Sequence, residues 1–375
     1  MRKTTPTEHN SDILRRVTSA AVTLTVVVPA FRAEPHLRSC LDSLLTDAPP
    51  ELTVVVVDDH SPDRTADIAQ QYADRDPRVT LLRLPVNVGP GRARNHGLRH
   101  ARGAFVWFVD ADDWLPAGSV PAVLARLTAT TPDVLMVDHA EVFPDGRWVG
   151  TDPAGALRGD TTPGPLQQRP ELLQLAHSAC TKIIRRAFLD EIGLRFHPGW
   201  YEDSAFNHPL LLAANRIDTL DRVCYCYRQP PGGTITKSIS PRHFAAFAQY
   251  DRMWTAVAGA GEAYQRFQPE LFRLMVDHLL VIAGSGHRVP PSLRRAFFRR
   301  LAAEYRLRRP KAGYPIPGGI AGLKHRLVSW GAYEAYATLR WGWRLAGQLR
   351  LRGDAPIGSG RRPAPRPQSA DLTPR

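Results

Sequence analysis

The sequence predicts an α/β protein: a mostly parallel sheet with helices on both faces, followed by a helical C-terminal region. Three observations predict it. Short β-branched runs alternate with helical-period segments through residues 23–137, the pattern of parallel strands joined by crossover helices. Polar and acidic clusters recur just after those runs, where an open parallel sheet presents its carboxyl ends. Beyond residue 240 the apolar periodicity is helical.

The elements follow in order. Thr23–Val28 and Thr53–Val57 are continuous β-branched runs, expected as buried strands. Leu37, Cys40, Leu41, Leu44 and Leu45 share one helical face between them. Ile68, Ala69 and Tyr72 mark the next helix, Val79–Leu84 a third strand, and Gly91–Ala101 a third helix. Phe105–Val109 is a fourth strand, Val120–Leu127 is helical, and Val134–Val137 is a fifth strand. Phe143–Gln168, rich in Gly, Pro and Asp, reads as a long loop. Glu171–Leu189 reads as a helix, Arg222–Arg228 as a strand, Pro241–Arg309 as helical, and Ile320–Leu351 as one basic helix. The expected organisation is a flexible tail over 1–20, an α/β domain over 21–240, a helical region over 241–351 and a disordered Pro/Arg-rich tail over 352–375.

Composition narrows the classes. The 375 residues carry a formal net charge of +13, much of it after Arg288, which suits polyanions, acidic membrane surfaces or phosphorylated ligands without choosing among them. Cys40, Cys180, Cys224 and Cys226 match neither a zinc pattern nor a disulfide framework, so they read as reduced, structural and cytoplasmic. The polar N-terminus reads as lacking a signal peptide, and no run reaches about 18 uninterrupted apolar residues, so no membrane crossing is expected.

The chemistry-bearing residues sit after the strands. Pro29-Ala30-Phe31 follows the first, and Asp58-Asp59-His60-Ser61-Pro62-Asp63 the second. Asn87, Gly89 and the stretch Gly91–Gly97 with Arg92, Arg94 and Asn95 follow the third, and Asp110-Ala111-Asp112-Asp113 the fourth. Clustered carboxylates at a strand end are costly unless a cation joins them. Asp110 and Asp112, alternating in an extended segment, could share one Mg²⁺ or Mn²⁺ that bridges a diphosphate; a solvated turn is the plainer alternative. Asp58 and Asp59 could hydrogen-bond a base or ribose, or help start the next helix, with Asp63 or Ser61 as cap. Arg92 and Arg94 could face phosphates, or lie on a solvated helix face.

Val26–Leu45, Val54–Tyr72, Asn87–His100 and Phe105–Leu115, with DDHSPD, ARNHG and DADDW in that order, resemble the family 2 (GT-A fold, Rossmann-like) glycosyltransferases. The likeness covers roughly the first two-thirds of the chain; His60 stands where the family usually has Gly. The resemblance implies a non-processive enzyme that moves a sugar from a nucleotide-sugar, most commonly a uridine one, to an acceptor hydroxyl with inversion, in cell-surface glycan or polysaccharide synthesis. It implies that Pro29, Ala30, Phe31, Asp58, Asp59, Asn87, Arg94, Asp110 and Asp113 hold the donor, and that Asp110 and Asp112 hold a divalent cation. By the same resemblance Asp203, beside Glu202, is the catalytic base, and Lys182 lies near a glycan or lipid-linked acceptor. Trp200 and Tyr201 could stack on its sugar ring. The plainer alternatives are a helix cap for Glu202 or Asp203 and a surface position for Lys182. Processive members carry Gln-x-x-Arg-Trp; here Arg228 stands in Tyr227-Arg228-Gln229 without the tryptophan, and Pro230–Gly233 reads as a mobile loop.

The basic, Trp- and Tyr-rich segment 320–351 could lie peripherally on an acidic bilayer, or pack on the domain with Leu323, Leu327, Leu339 and Leu345 as core. Two other readings compete. A sugar-phosphate nucleotidyltransferase would open with a Gly-rich loop where Pro29-Ala30-Phe31 stands. A nucleic-acid-binding protein would suit the charge, but the basic residues form no known module, so no nucleic-acid partner is expected.

Overall fold

The computed structural model describes residues 23–150, 155–159, 162–175, 178–229, 238–259 and 261–342. The expectations for residues 1–20, Pro230–Gly233 and 343–375 lie outside that range.

The first half alternates as expected: β1 (Leu24–Ala30), α1 (Leu37–Leu45), β2 (Leu52–Asp58), α2 (Thr65–Arg75), β3 (Val79–Arg83), α3 (Pro90–His100), β4 (Phe105–Phe108), α4 (Ser119–Thr130) and β5 (Val134–Val142). The order across the sheet begins β3-β2-β1-β4, all parallel. The chain steps outward from β1 to β3, then crosses back to β4 on the other side of β1. That reversal opens a crevice at the carboxyl ends of β1 and β4. Ala30 pairs with Asp58, and Val27 with Phe108. The strand ends therefore deliver Pro29–Phe31, Asp58-Asp59 and Asp110 to one edge.

The second half differs from expectation. Phe143–Gln168 is not all loop: β6 (Trp148–Gly150) pairs antiparallel with β5 across a turn at Gly146, which takes φ 78°. Glu171–Leu189 is not one helix. It breaks into 3₁₀ turns at Pro170–Leu175 and Ala179–Thr181, then β7 (Lys182–Arg185) and α5 (Arg186–Glu191). Ile183 and Ile184 are β-branched and wholly buried, and β7 fills the sheet between β4 and β5, antiparallel to both. α6 (Glu202–Ala213) follows, and β8 (Ile217–Arg228) pairs parallel with β5. Its carboxyl end thus reaches the same edge as the crevice.

Pro241–Arg309 resolves into α7 (Ala245–Val257), α8 (Gly261–Gly284) and α9 (Arg294–Arg308). The expected helix over 320–351 is interrupted: α10 (Gly319–Trp330) stops at Gly331, which takes φ 67°, and helix resumes over 333–342. Side chains alternate across the sheet. Leu24, Val26 and Val28 of β1 face a core shared with α1, α2 and α4, while Val27 faces a second core shared with α3, α6 and the C-terminal helices. That second core is continuous from the sheet to Tyr336. Gly97 is needed at the α3–β1 crossing, where a Cβ would lie 2.2 Å from Val27 Cγ1.

Candidate active site

The loops after β1 and β2 brace each other. The Asp59 amide donates to the Ala30 carbonyl (2.8 Å), and the amides of Arg32 and Ala33 donate to Ser61 Oγ and Thr65 Oγ1. Pro29 is half-buried, Ala30 buried and Phe31 exposed at the rim. His60, in the usual glycine position, takes φ 60°, the left-handed conformation in which glycine carries no penalty. Asp63 accepts from the Thr65 amide and hydroxyl, as a residue starting α2 should.

Asp58 and Asp59 are both buried, and their carboxylates are engaged locally. Asp58 accepts from the Ser61 amide (3.3 Å). Asp59 accepts from the amides of Val88 (2.7 Å) and Gly89 (2.8 Å), and Asn87 Nδ2 donates to the Asp59 carbonyl. Each of its carboxylate oxygens thus holds the loop that leads into α3. Burial nevertheless raises its carboxyl, against those two amides.

After β4 the acidic run forms a turn instead of an extended segment, closed by the Asp113 amide on the Asp110 carbonyl (3.1 Å). Asp113 is buried and accepts from the Tyr225 hydroxyl (2.6 Å) and the Arg228 amide (2.8 Å), so it ties the turn to β8 and does not face an open cleft. Burial, then Asp112 and Asp110, hold its carboxyl well above the usual range. Asp112 reaches solvent, yet it sits low enough among protein atoms for burial and Asp110 to raise it too. Sequence reasoning missed Tyr225 and Arg228. Tyr225 also accepts from the Asp110 amide (3.1 Å), and Arg228 stacks on Trp114 (4.5 Å) while its Nε donates to the Asp112 carbonyl. The strand-end rule applied to β8 would have found Arg228.

Arg94 joins the two halves of the site. It is buried, not on a solvated face or open to phosphates as expected. Nη2 donates to Asp110 Oδ1 and Nη1 to Glu202 Oε1, each at 2.7 Å. Burial works against its charge, and Asp110, Asp203 and Glu202 more than restore it. Gly91, one turn earlier on α3, makes room: a Cβ there would lie 2.8 Å from the His197 carbonyl and 3.2 Å from Glu202 Cγ.

Glu202 and Asp203 open α6, where the helix dipole favours anions. Asp203 Oδ1 is buried without a hydrogen-bond partner, 3.9 Å from Arg94. Burial pushes its carboxyl up to about 7; Arg94 pulls it down, and Glu202 and Asp110 push it further up.

Lys182 is not at the surface: it is wholly buried, and Nζ donates to the carbonyls of Leu175 (3.0 Å) and Ser178 (2.7 Å) and to Thr181 Oγ1. Burial lowers its pKa to about 8. Tyr201 packs on His278 and bonds His243 Nδ1 (2.6 Å), and Trp200 meets the edge of His243, so both are joined to the C-terminal helices.

Asp110 and Asp112 fit a divalent cation in a limited way. Their mutual repulsion would be relieved by one, but among the described residues no three His, Cys, Asp or Glu side chains converge as ligands. Two carboxylates suit a Mg²⁺ or Mn²⁺ that takes its other oxygens from water and a diphosphate.

The model of glycosyl transferase family 2 matches residues 25–193. This stretch belongs to that family. The chain is 29% identical over 218 residues to EpsJ of Bacillus subtilis, an alignment covering 56% of this chain and 61% of EpsJ. It is 31% identical over 226 residues to the poly(ribitol-phosphate) β-N-acetylglucosaminyltransferase TarS of Staphylococcus aureus, covering 58% of this chain and 38% of TarS. The chain thus spans less than two-thirds of either relative. The crystal structure of TarS 1–349 in complex with UDP superposes with a TM-score of 0.63 at 24% identity, over 86% of this chain and 92% of that one, which shows the GT-A fold.

Proposed function

We propose that this glycosyltransferase transfers a sugar from a nucleotide-sugar, with a uridine diphosphate as leaving group, to an acceptor hydroxyl with inversion, non-processively, in the synthesis of a cell-surface glycan. The observation that carries the reading is Asp203: a carboxylate with an unpaired buried oxygen, raised to about 7, held beside the acidic turn by Arg94. A base poised near neutral pH is what deprotonating a hydroxyl requires. TarS, whose crystal structures hold UDP and UDP-GlcNAc, supports the donor class.

Asp203 takes the proton of the acceptor hydroxyl as its oxygen attacks the anomeric carbon from the face opposite the leaving diphosphate. Arg94 keeps Asp110 and Glu202 fixed, so the base and the acidic turn stay in register. Asp110 and Asp112 would hold a divalent cation, which supplies charge stabilisation for the departing diphosphate. The main chain at Pro29–Phe31, the Asp58–Asp59 loop and Asn87 line the edge where the nucleoside would rest. The four buried, unpaired cysteines accord with work in the cytoplasm, on a glycan or lipid-linked acceptor.

Calorimetry with UDP, GDP, CDP and TDP, with and without Mn²⁺, tests this. One diphosphate should bind, need the metal, bind far more weakly to an Asp112→Asn variant and bind normally to Asp203→Asn. Failure of all four to bind under any condition would sink the reading.

A further inference from the structure

A helix packed on a domain ordinarily shows solvent a polar face. α10 does not. Its inner face buries His325 and Val328, with Leu327 at its margin, while Ile320, Leu323 and Trp330 are exposed, Trp330 to 69%. Leu323, Arg326 and Trp330 fall at positions i, i+3 and i+7, so they form one stripe. Trp341, on the helix that resumes after Gly331, is 65% exposed as well. The sequence reading that placed Leu323 in the core is thereby corrected, whereas Leu327 is buried.

The chain around α10 is basic. Residues 281–342 contain twelve Lys or Arg and two acidic residues; Arg295, Arg300 and Arg308 are ion-paired with Glu334, Glu304 and Asp251, while Arg326 is exposed on α10 itself. A second copy of this face would meet like charge, which disfavours self-association. Exposed Trp and aliphatic side chains among Lys and Arg match the boundary of an anionic bilayer, where indole rings sit at headgroup depth and basic side chains reach the phosphates. Among the described residues no helix is long and apolar enough to cross a membrane, so contact here would be peripheral.

We propose that the outer face of α10, with Ile320, Leu323, Arg326 and Trp330, docks on an anionic lipid surface. Such docking would hold whether or not the chain transfers sugar.

The test is co-sedimentation of the full chain with vesicles of phosphatidylcholine alone or mixed with phosphatidylglycerol. The chain should pellet with the mixed vesicles, stay free of the neutral ones and be released by added salt. Leu323→Ser with Trp330→Ser, and separately Lys324→Glu with Arg326→Glu, should each weaken binding about tenfold or more. Both pairs lie away from the acidic turn, so melting temperature and UDP binding should be unchanged, which separates this test from that of the transferase reading. Three results would each overturn the proposal: no binding to the mixed vesicles, undiminished binding by both variants, or a concentration-dependent dimer that the Ser variant abolishes while lipid binding persists. Binding to single-stranded DNA that the Ser variant loses, without lipid binding, would equally overturn it.

Discussion

Arg94 and Glu202, separated by 108 residues in the chain, meet at 2.7 Å in a buried ion pair. The same guanidinium holds Asp110, so one side chain fixes the distance between the acidic turn after β4 and the first turn of α6. A planar guanidinium can span both carboxylates with its rigid fork of donors; a lysine ammonium is a compact point charge on a flexible stem.

Replacing Arg94 with Met should therefore remove the only counter-charge these carboxylates share among the described contacts. Breaking a buried ion pair by removing one partner costs about 3–5 kcal/mol. Arg94→Lys should recover part of that. Thermal and denaturant unfolding of the two variants would decide it, and a loss below about 1 kcal/mol for Arg94→Met would show that Arg94 is not what joins the halves.

Asp203 gives a prediction with a sign in pH. As a base it must be ionised, so kcat/KM should fall as pH drops through about 7, and Asp203→Asn should lose nearly all activity while still binding nucleotide. The stability effect runs the other way. A carboxyl raised from 3.8 to about 7 binds a proton more tightly in the folded chain, so the native state gains stability as pH falls from about 7 toward 4, below which the gain is complete. Asp203→Asn should then be more stable than the wild type at pH 8, by about 1–3 kcal/mol, and equal to it near pH 4. A variant less stable at pH 8 would contradict the burial account.

The parallel half of the fold was legible because its strands are short apolar runs, β-branched in β1 and β2, with polar residues following them. Pro29, Asp58 and Asp110 could be placed by that rule alone. What stayed hidden depends on pairing at long range. Lys182 begins a four-residue strand whose neighbours lie more than seventy residues before it and about forty-five before it, and nothing local distinguishes that strand from a helical turn. Arg94 lies in a polar helix start, so its burial follows only from Glu202 arriving above it. Asp113 looked like its neighbours until Tyr225 was brought to it by β8.

Lys182 is accordingly expected to matter for folding and not for ligand. Lys182→Met should leave the Kd for nucleotide unchanged while altering stability, because the Leu175 and Ser178 carbonyls lose their donor at about 1–3 kcal/mol. Its pKa, lowered from 10.5 to about 8, means the unfolded chain binds the proton more tightly. Wild-type stability should rise relative to the variant as pH goes from 8 toward 10.5. A selective change in acceptor KM at constant stability would restore Lys182 to the acceptor site.

His60 offers the most economical check on the loop between β2 and α2. At φ 60° a residue with a Cβ is strained by roughly 1–2 kcal/mol, and glycine is not. Against that, glycine adds freedom to the unfolded chain worth about 0.4–1 kcal/mol. His60→Gly should therefore leave the melting temperature unchanged or slightly higher. His60→Val, β-branched and least suited to positive φ, should lower stability by about 1–2 kcal/mol. Because the Asp59 carboxylate is anchored to Val88 and Gly89, His60→Gly should also leave nucleotide affinity within a factor of about 2. A large loss of affinity in His60→Gly with stability intact would mean that the exposed imidazole itself touches the donor, and the loop would then have to be assigned a specificity role.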